Sequence, residues 1–513
     1  MSLYSERPAR LVIPRWRNFK TTSKSKELAK EKNKNSPIIP ELSIQKRIDN
    51  WEKDKSAVNA IELVNSAFIA DNKNAALEAA HFIVQNCKDE KHLSLQISKA
   101  IIDDNYTINP ESSIVKFDEL TSRIGSRIRE IREKLKIFPN NPIQWVDLAR
   151  LFSVIGKVYQ AERCIRTAIQ LSSNNVFIIR SAVRFFIHKG DDEGLSYALK
   201  LIRKNPATKL DPWLMATEIS LCSYLKKSSD LIKTGVSLID SKNFNPFVIS
   251  ELSSAIATEE MNHGKNKSAR KFFSSSLIDP NENSLAQAEW ATNNIDGINI
   301  NLTKNINSFE ANSYNYYNQE KWEDSLNESL NWIVDQPFSS EPASHASYLA
   351  GALVDDHDLS IRICDFGLIA NPHEFTLLNN KAYSLAMQCK TDAAEKIFDQ
   401  IDFNMLSEGE QVTYLATKGM INYRQGNKEA GSALYDEAEI LAGKRKDQIN
   451  AMKIKIYKMK AELICGYNIE KNQAAIDFLI NSVEKINRPD IKKAILNLKT
   501  LIKMPNTNPA LQV

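Results

Sequence analysis

The chain is poor in the two residues that interrupt regular structure, with 15 glycines and 17 prolines among 513 residues. Runs of alternating Val, Thr and Tyr are also few, which leaves little room for sheet. Six cysteines, at 87, 164, 222, 364, 389 and 465, lack any C-x-x-C pairing. Their scatter argues against a disulfide framework and predicts buried free thiols in a reducing cytoplasm. No glycine opens a G-x-x-x-x-G-K-[ST] phosphate loop, and the seven histidines form neither H-E-x-x-H nor a zinc-ligand spacing with cysteine. No catalytic residue, cofactor or metal is expected, and the chain is read as a non-enzyme. Long hydrophobic runs are missing as well: Leu11, Val12 and Ile13 are cut short by Pro14 and Arg15. Neither a signal-peptide core nor a membrane span is expected.

What the sequence does have is helical periodicity. Trp145, Leu148, Ala149 and Phe152 fall on one face of a 3.6-residue helix, and Ala161, Ile165 and Ala168 on one face of the next, with Gly156 between them. Small residues at 149, 161 and 168 allow two helices to approach closely while the larger ones fill between ridges. One such hairpin would leave its stripe in water, so further copies are required. Ala257, Gly264, Ala269, Phe273 and Ser276 hold the same places near 250–283. A third run keeps Ser360, Cys364, Gly367 and Pro372, and a fourth Leu378, Ala382, Leu385, Ala394, Phe398 and Ile401. From 412 the places pass to Leu415, Gly419, Gly426, Gly431, Tyr435 and Ala438. Worn copies are read at 176–205 and 211–241.

This pattern resembles the tetratricopeptide repeat, about 34 residues running W-x2-L-G-x2-Y, then A-x3-F, then proline. The resemblance covers roughly 140–445 and implies an all-α, right-handed helical-hairpin solenoid with helical caps at both ends. The division expected is a basic arm (1–40), a helical cap (41–140), the solenoid (141–445), a second cap (446–504) and a short tail (505–513).

In this family the first helix of each pair faces the concave side, and its fifth and ninth positions touch the ligand. The resemblance therefore implies a partner groove at Arg150, Arg180, Arg184, Asn379 and Tyr383, with Val146, Ala416 and Met420 at equivalent places. The arginines would form a cationic strip for a carboxylate or acidic segment of a protein partner. A competing reading pairs them internally, with Glu218 one step of 34 beyond Arg184 as the partner.

Charge is uneven. Residues 1–35 carry ten Lys or Arg against three Glu, a net of +7 in a chain whose total is +4. Within this arm Arg10, Arg15, Trp16, Arg17 and Phe19 mix guanidinium and aromatic groups in a manner that fits a docking peptide. Three fates are open to it: folding back onto its own solenoid as a plug, binding a protein partner, or meeting nucleic acid through phosphate contacts and stacking by Trp16. A second basic feature, the helix 117–137, buries Ile124, Ile128, Ile131 and Leu135 and leaves Arg123, Arg127, Arg129 and Arg132 to solvent. Asp355, Asp356, His357 and Asp358 form the one dense cluster of potential metal ligands, and their place at a helix start makes them capping residues.

The resulting expectation is an interaction scaffold, adaptor or regulatory subunit that holds a partner segment in a groove. High Lys, Asn and Ile usage points to a bacterial setting, with an effector such as a nuclease as a partner to be controlled. The alternative is a nucleic-acid-associated helical-repeat protein that uses its arm.

Overall fold

The computed structural model describes residues 9–17, 41–69, 73–86, 93–103, 113–302, 307–445, 447–482 and 488–503. Phe19, the polar run at 24–35 and the 505–513 tail lie outside them. The chain divides into two compact units, one formed by 19–112 and the other by 1–18 together with 113–513.

Among the described residues the smaller unit holds four α-helices: α1 (Glu41–Lys53), α2 (Ala57–Ile69), α3 (Leu77–Asn86) and α4 (Leu93–Ile102). They close over Trp51, Leu63, Val64, Ala79, Ile83 and Ile101. Trp51 meets Phe82 edge to face at 5.3 Å.

The larger unit starts with the arm, then a long helix α5 (Ser113–Ile137), and continues as paired helices. The pairs are α6 (Pro142–Val154) with α7 (Val158–Leu171), α8 (Val176–Lys189) with α9 (Asp192–Lys204), and α10 (Pro212–Tyr224) with α11 (Ile232–Asp240). Next come α12 (Pro246–Asn262) with α13 (Asn266–Ser276), a single α14 (Glu282–Ala291), and α15 (Phe309–Asn318) with α16 (Trp322–Asp335). The later pairs are α17 (Ser340–Tyr348) with α18 (His357–Ala370), α19 (Phe375–Met387) with α20 (Thr391–Phe398), and α21 (Glu408–Arg424) with α22 (Lys428–Lys444). The last are α23 (Gln448–Ile464) with α24 (Ile469–Ser482), followed by α25 (Pro489–Lys503). Among the described residues there is no strand, and every repeat read from the sequence is a helical hairpin.

Local chemistry explains the boundaries. Asn141, Asn175, Asp191, Asp211, Asn245 and Asn281 each accept a backbone N–H at a helix start. Ser407 and Glu410 form a reciprocal capping box on α21. Asp356 caps α18 by accepting from Leu359 N, and Asp358 accepts from the Gln388 amide. Among the described residues no three His, Cys, Asp or Glu side chains converge on a possible metal position.

The stripe residues are buried as their spacing requires: Leu148, Ala149, Phe152, Ala161, Ile165 and Ala168 join one core, with Trp145 half-buried at its edge. Hairpin turns pass through left-handed backbone, at Gly156 (φ 68°) and, in a later repeat, at Cys389 (φ 61°). A Cβ on Gly156 would lie 2.3 Å from the Ile369 carbonyl oxygen, so this turn must be glycine both for its backbone and for its neighbour.

Cys389 corrects the expectation of buried thiols, because its place in the turn exposes it, whereas Cys164, Cys222 and Cys364 are buried. Left-handed backbone costs a residue with a Cβ roughly 1–2 kcal/mol, and the extra chain entropy of glycine offsets roughly 0.5–1 kcal/mol of any gain. Cys389→Gly should therefore raise stability by up to about 1 kcal/mol, read as a higher urea midpoint. A lower midpoint would show that the thiol contributes something the turn needs.

A solenoid repeat ordinarily touches only its sequence neighbours. Here one core also joins the hairpins at 142–204 to those at 322–370. Phe117 of α5 packs edge to face on Phe366 of α18 at 5.5 Å, and Arg362 of α18 pairs with Asp118. The path of repeats thus turns back on itself, and the arm lies inside the turn.

Candidate functional site

Residues 9–17 run extended, without helix, against α6, α8, α14, α15 and the end of α16. Alternate side chains are buried in the manner of a strand: Val12, Pro14 and Trp16 are fully inside, while Leu11, Ile13, Arg15 and Arg17 are partly so. Val12 enters the core built by Met215, Ile219, Leu252 and Leu285. Trp16 has no exposed surface and fills a slot between Phe185 and Phe338, both edge to face, at centroid distances of 6.1 and 5.3 Å. Its indole N–H finds no acceptor, so the slot reads ring shape rather than a hydrogen bond.

The flanking arginines meet carboxylates from three elements. Arg10 donates Nε to Glu310 Oε1 at 2.7 Å and its other nitrogens to Gln287 and Asn283 at 2.7 and 2.8 Å. Arg15 bridges Glu310 at 2.7 Å and Asp335 at 3.2 Å. Arg17 forks onto Asp335 and also reaches Glu282. Backbone is read as well. The Arg10 carbonyl accepts from Gln287 at 2.8 Å, the Ile13 carbonyl from Asn283 at 3.0 Å and the Trp16 carbonyl from Arg150 Nε at 2.9 Å. Bidentate charge-assisted bonds of this kind fix register as well as charge.

Burial alone would raise the Asp335 carboxyl, but the Arg17 and Arg15 guanidiniums hold it below its ordinary value of 3.8. A carboxyl depressed in the folded state contributes stability that is complete above the unfolded value and is lost as pH falls through the lower folded one. The stability gap between the wild type and Asp335→Asn should therefore narrow in strongly acid solution. A gap unchanged from neutral to acid would show that Asp335 is not paired as described.

The five groove residues read from the repeat register have distinct surroundings. Arg150 is 6% exposed and holds two carbonyls, of Trp16 and of Asp335; burial brings its guanidinium down to about 10. Arg180 pairs with Glu251 at 2.6 Å and lies over Trp213. Arg184 donates to Ser339 at 2.7 Å and covers the face of Phe338, with neutral His188 against the same ring. Glu218, the internal partner expected for Arg184, instead receives Arg203 at 2.8 Å. The step of 34 fails there because Arg203 arrives from the second helix of the preceding pair. Asn379 is fully buried in the wall of a cavity of about 630 Å³ that Arg10, Ile13 and Arg15 line from the arm side. Tyr383 lies apart, packed against His357 and Tyr457 and accepting from Lys460 at 3.1 Å. Of the arm residues, Arg15, Trp16 and Arg17 lie together in the groove.

Sequence reasoning missed Glu282, Asn283, Gln287, Glu310 and Asp335: the first two sit at the very end of the copy read at 250–283, beyond its patterned positions, and the stretch at 284–340 has no readable repeat. The alternation of Val12, Pro14 and Trp16 was the available signal that this arm docks as a strand-like peptide.

These features define a tetratricopeptide-type helical-hairpin solenoid whose inner groove holds an extended polypeptide segment. No family model matches the chain, and no curated protein matches it. Among solved structures, yeast Tom70 aligns over 88% of this chain and 96% of its own, at 14% identity and a TM-score of 0.29. A monomeric IFIT1 mutant with Gppp-AAAA aligns over 90% and 95%, at 10% identity and 0.31, and the P58(IPK) TPR domain over 76% and 99%, at 11% and 0.22. Superpositions this loose carry no argument about function, and the fold assignment rests on the hairpins themselves. Among the described residues no helix is long and apolar enough to cross a membrane.

Proposed function

We propose that the chain is a protein-interaction scaffold whose inner groove binds extended polypeptide, with its own arm as the resident segment. The observation that carries this reading is the arm itself. The segment from Arg10 to Arg17 is held by inward side chains through three backbone carbonyls, an aromatic slot and three carboxylates. Those are the means by which a groove recognises a peptide. A regulatory subunit that holds an effector, such as a nuclease, by one of its segments is the form this scaffold would take in a cell. Contact between the arm and nucleic acid has less support, because Arg10, Arg15 and Arg17 all face carboxylates and Trp16 is buried.

A photo-crosslinking residue at Ser340, on the cavity wall beside the arm, tests the reading in cells. Crosslinks from the groove to a segment of another protein are expected. Crosslinks confined to this chain's own arm would reduce the groove to a folding device.

A further inference from the structure

The chemistry of the groove specifies its partner more closely than the repeat register does. Glu282, Glu310 and Asp335 present carboxylates to the arm, with Glu310 and Asp335 side chains only 9% and 11% exposed. If the arm leaves, these groups lose the guanidiniums that pair with and bridge them, and stripping a cation from poorly hydrated carboxylates is costly. The arginines that would attract an acidic segment are engaged elsewhere: Arg180 with Glu251, Arg184 with Ser339 and Phe338, and Arg150 partly with the Asp335 carbonyl. An incoming segment must therefore bring positive charge.

Guanidinium fits better than ammonium. Asp335 takes two bonds from Arg17 and one from Arg15, and Glu310 takes two from Arg10 and one from Arg15. A lysine, as a single point charge, cannot span such forks. Between the charges the slot of Phe185 and Phe338 requires a flat ring, and the indole N–H of its present occupant is unused.

We infer that this groove is a recognition site for a partner segment with an Arg-aromatic-Arg core and a further arginine about five residues upstream, and that the arm competes for it from within the same chain. The inference rests on the proposed scaffold reading and adds the partner's chemistry and a mechanism of control. Tethering raises the local concentration of the arm at the groove, so a partner must match it closely, or something must first withdraw the arm.

The test uses full-length chains and a labelled peptide with the sequence of residues 9–18, followed by fluorescence anisotropy. The Trp16→Ala chain, whose arm has lost its anchor, should bind the peptide at least about tenfold more tightly than the wild type. An Arg15→Ala/Arg17→Ala chain should behave likewise, which guards against a folding defect in the first variant. A peptide with glutamate at both Arg15 and Arg17 positions should not bind, and added salt should weaken the parent peptide. Equal affinity for the wild type and both arm variants would overturn the competition. Equal binding of the glutamate peptide would overturn the assigned chemistry. If no chain binds the peptide while the Ser340 crosslinker still captures a partner, the scaffold survives and this inference falls.

Discussion

Trp16→Ala should lower stability by about 3–5 kcal/mol, the range for truncating a large buried aromatic, and should make residues 9–17 accessible to protease. The ring is wholly buried between Phe185 and Phe338 and belongs to the core that joins the early hairpins to the later ones. Removing it opens a cavity at that junction and removes the anchor between two groups of guanidinium–carboxylate bonds. Trp16→Phe discriminates between shape and hydrogen bonding. Because the indole N–H has no acceptor, the phenyl ring should restore most of the loss, to within about 1–2 kcal/mol of wild type. Urea unfolding with trypsin mapping reads both effects. An alanine variant that unfolds with the wild type and keeps its arm protected would remove Trp16 from the role assigned here.

Asp490→Ala should be comparably damaging, by about 3–5 kcal/mol, because it removes the carboxylate that pairs directly with a buried ammonium. Lys453 Nζ lies 2.5 Å from Asp490, with side-chain exposures of 4% and 1%, and Arg488 contacts the same carboxylate at 3.1 Å. Burial would raise the Asp490 carboxyl, but Lys453 and Arg488 hold it below the usual range. The paired replacement Lys453→Met/Asp490→Leu removes the two most buried charges together, with Arg488, 27% exposed, turned to solvent, and should lie closer to wild type than the single variant. A double-mutant cycle in urea measures the coupling. If the single and double variants lose the same amount, packing around α25 rather than the ion pair sets the stability of this end.

Much of the architecture was legible from the residues. Most of the stripe residues that predicted paired helices are buried, with Trp145 and Ile401 half-buried at the edges, and even the worn copies at 176–205 and 211–241 are hairpins. The helix at 113–137 buries Ile124, Ile128 and Leu135, with Ile131 packed partly against the core, and leaves Arg123, Arg127 and Arg129 to solvent. The groove was legible only in part. Register placed Arg150, Arg184 and Asn379 on the first helix of their pairs, because helical spacing fixes position along a repeat. It could not give their partners, and Tyr383 shows the limit: the same register places it against Lys460 and Tyr457, where α19 meets α23.

The sequence by itself determined the helices, their caps and turns, and the pairing of each helix with the next, because those contacts join residues within one repeat. The tertiary structure alone decided that the solenoid turns back on itself and closes around its own arm. Arg10 and Glu310 are 300 residues apart, and Trp16 and Arg150 are 134 apart. Their meeting depends on small rotations accumulated over many stacked hairpins, a sum that no single repeat's pattern contains.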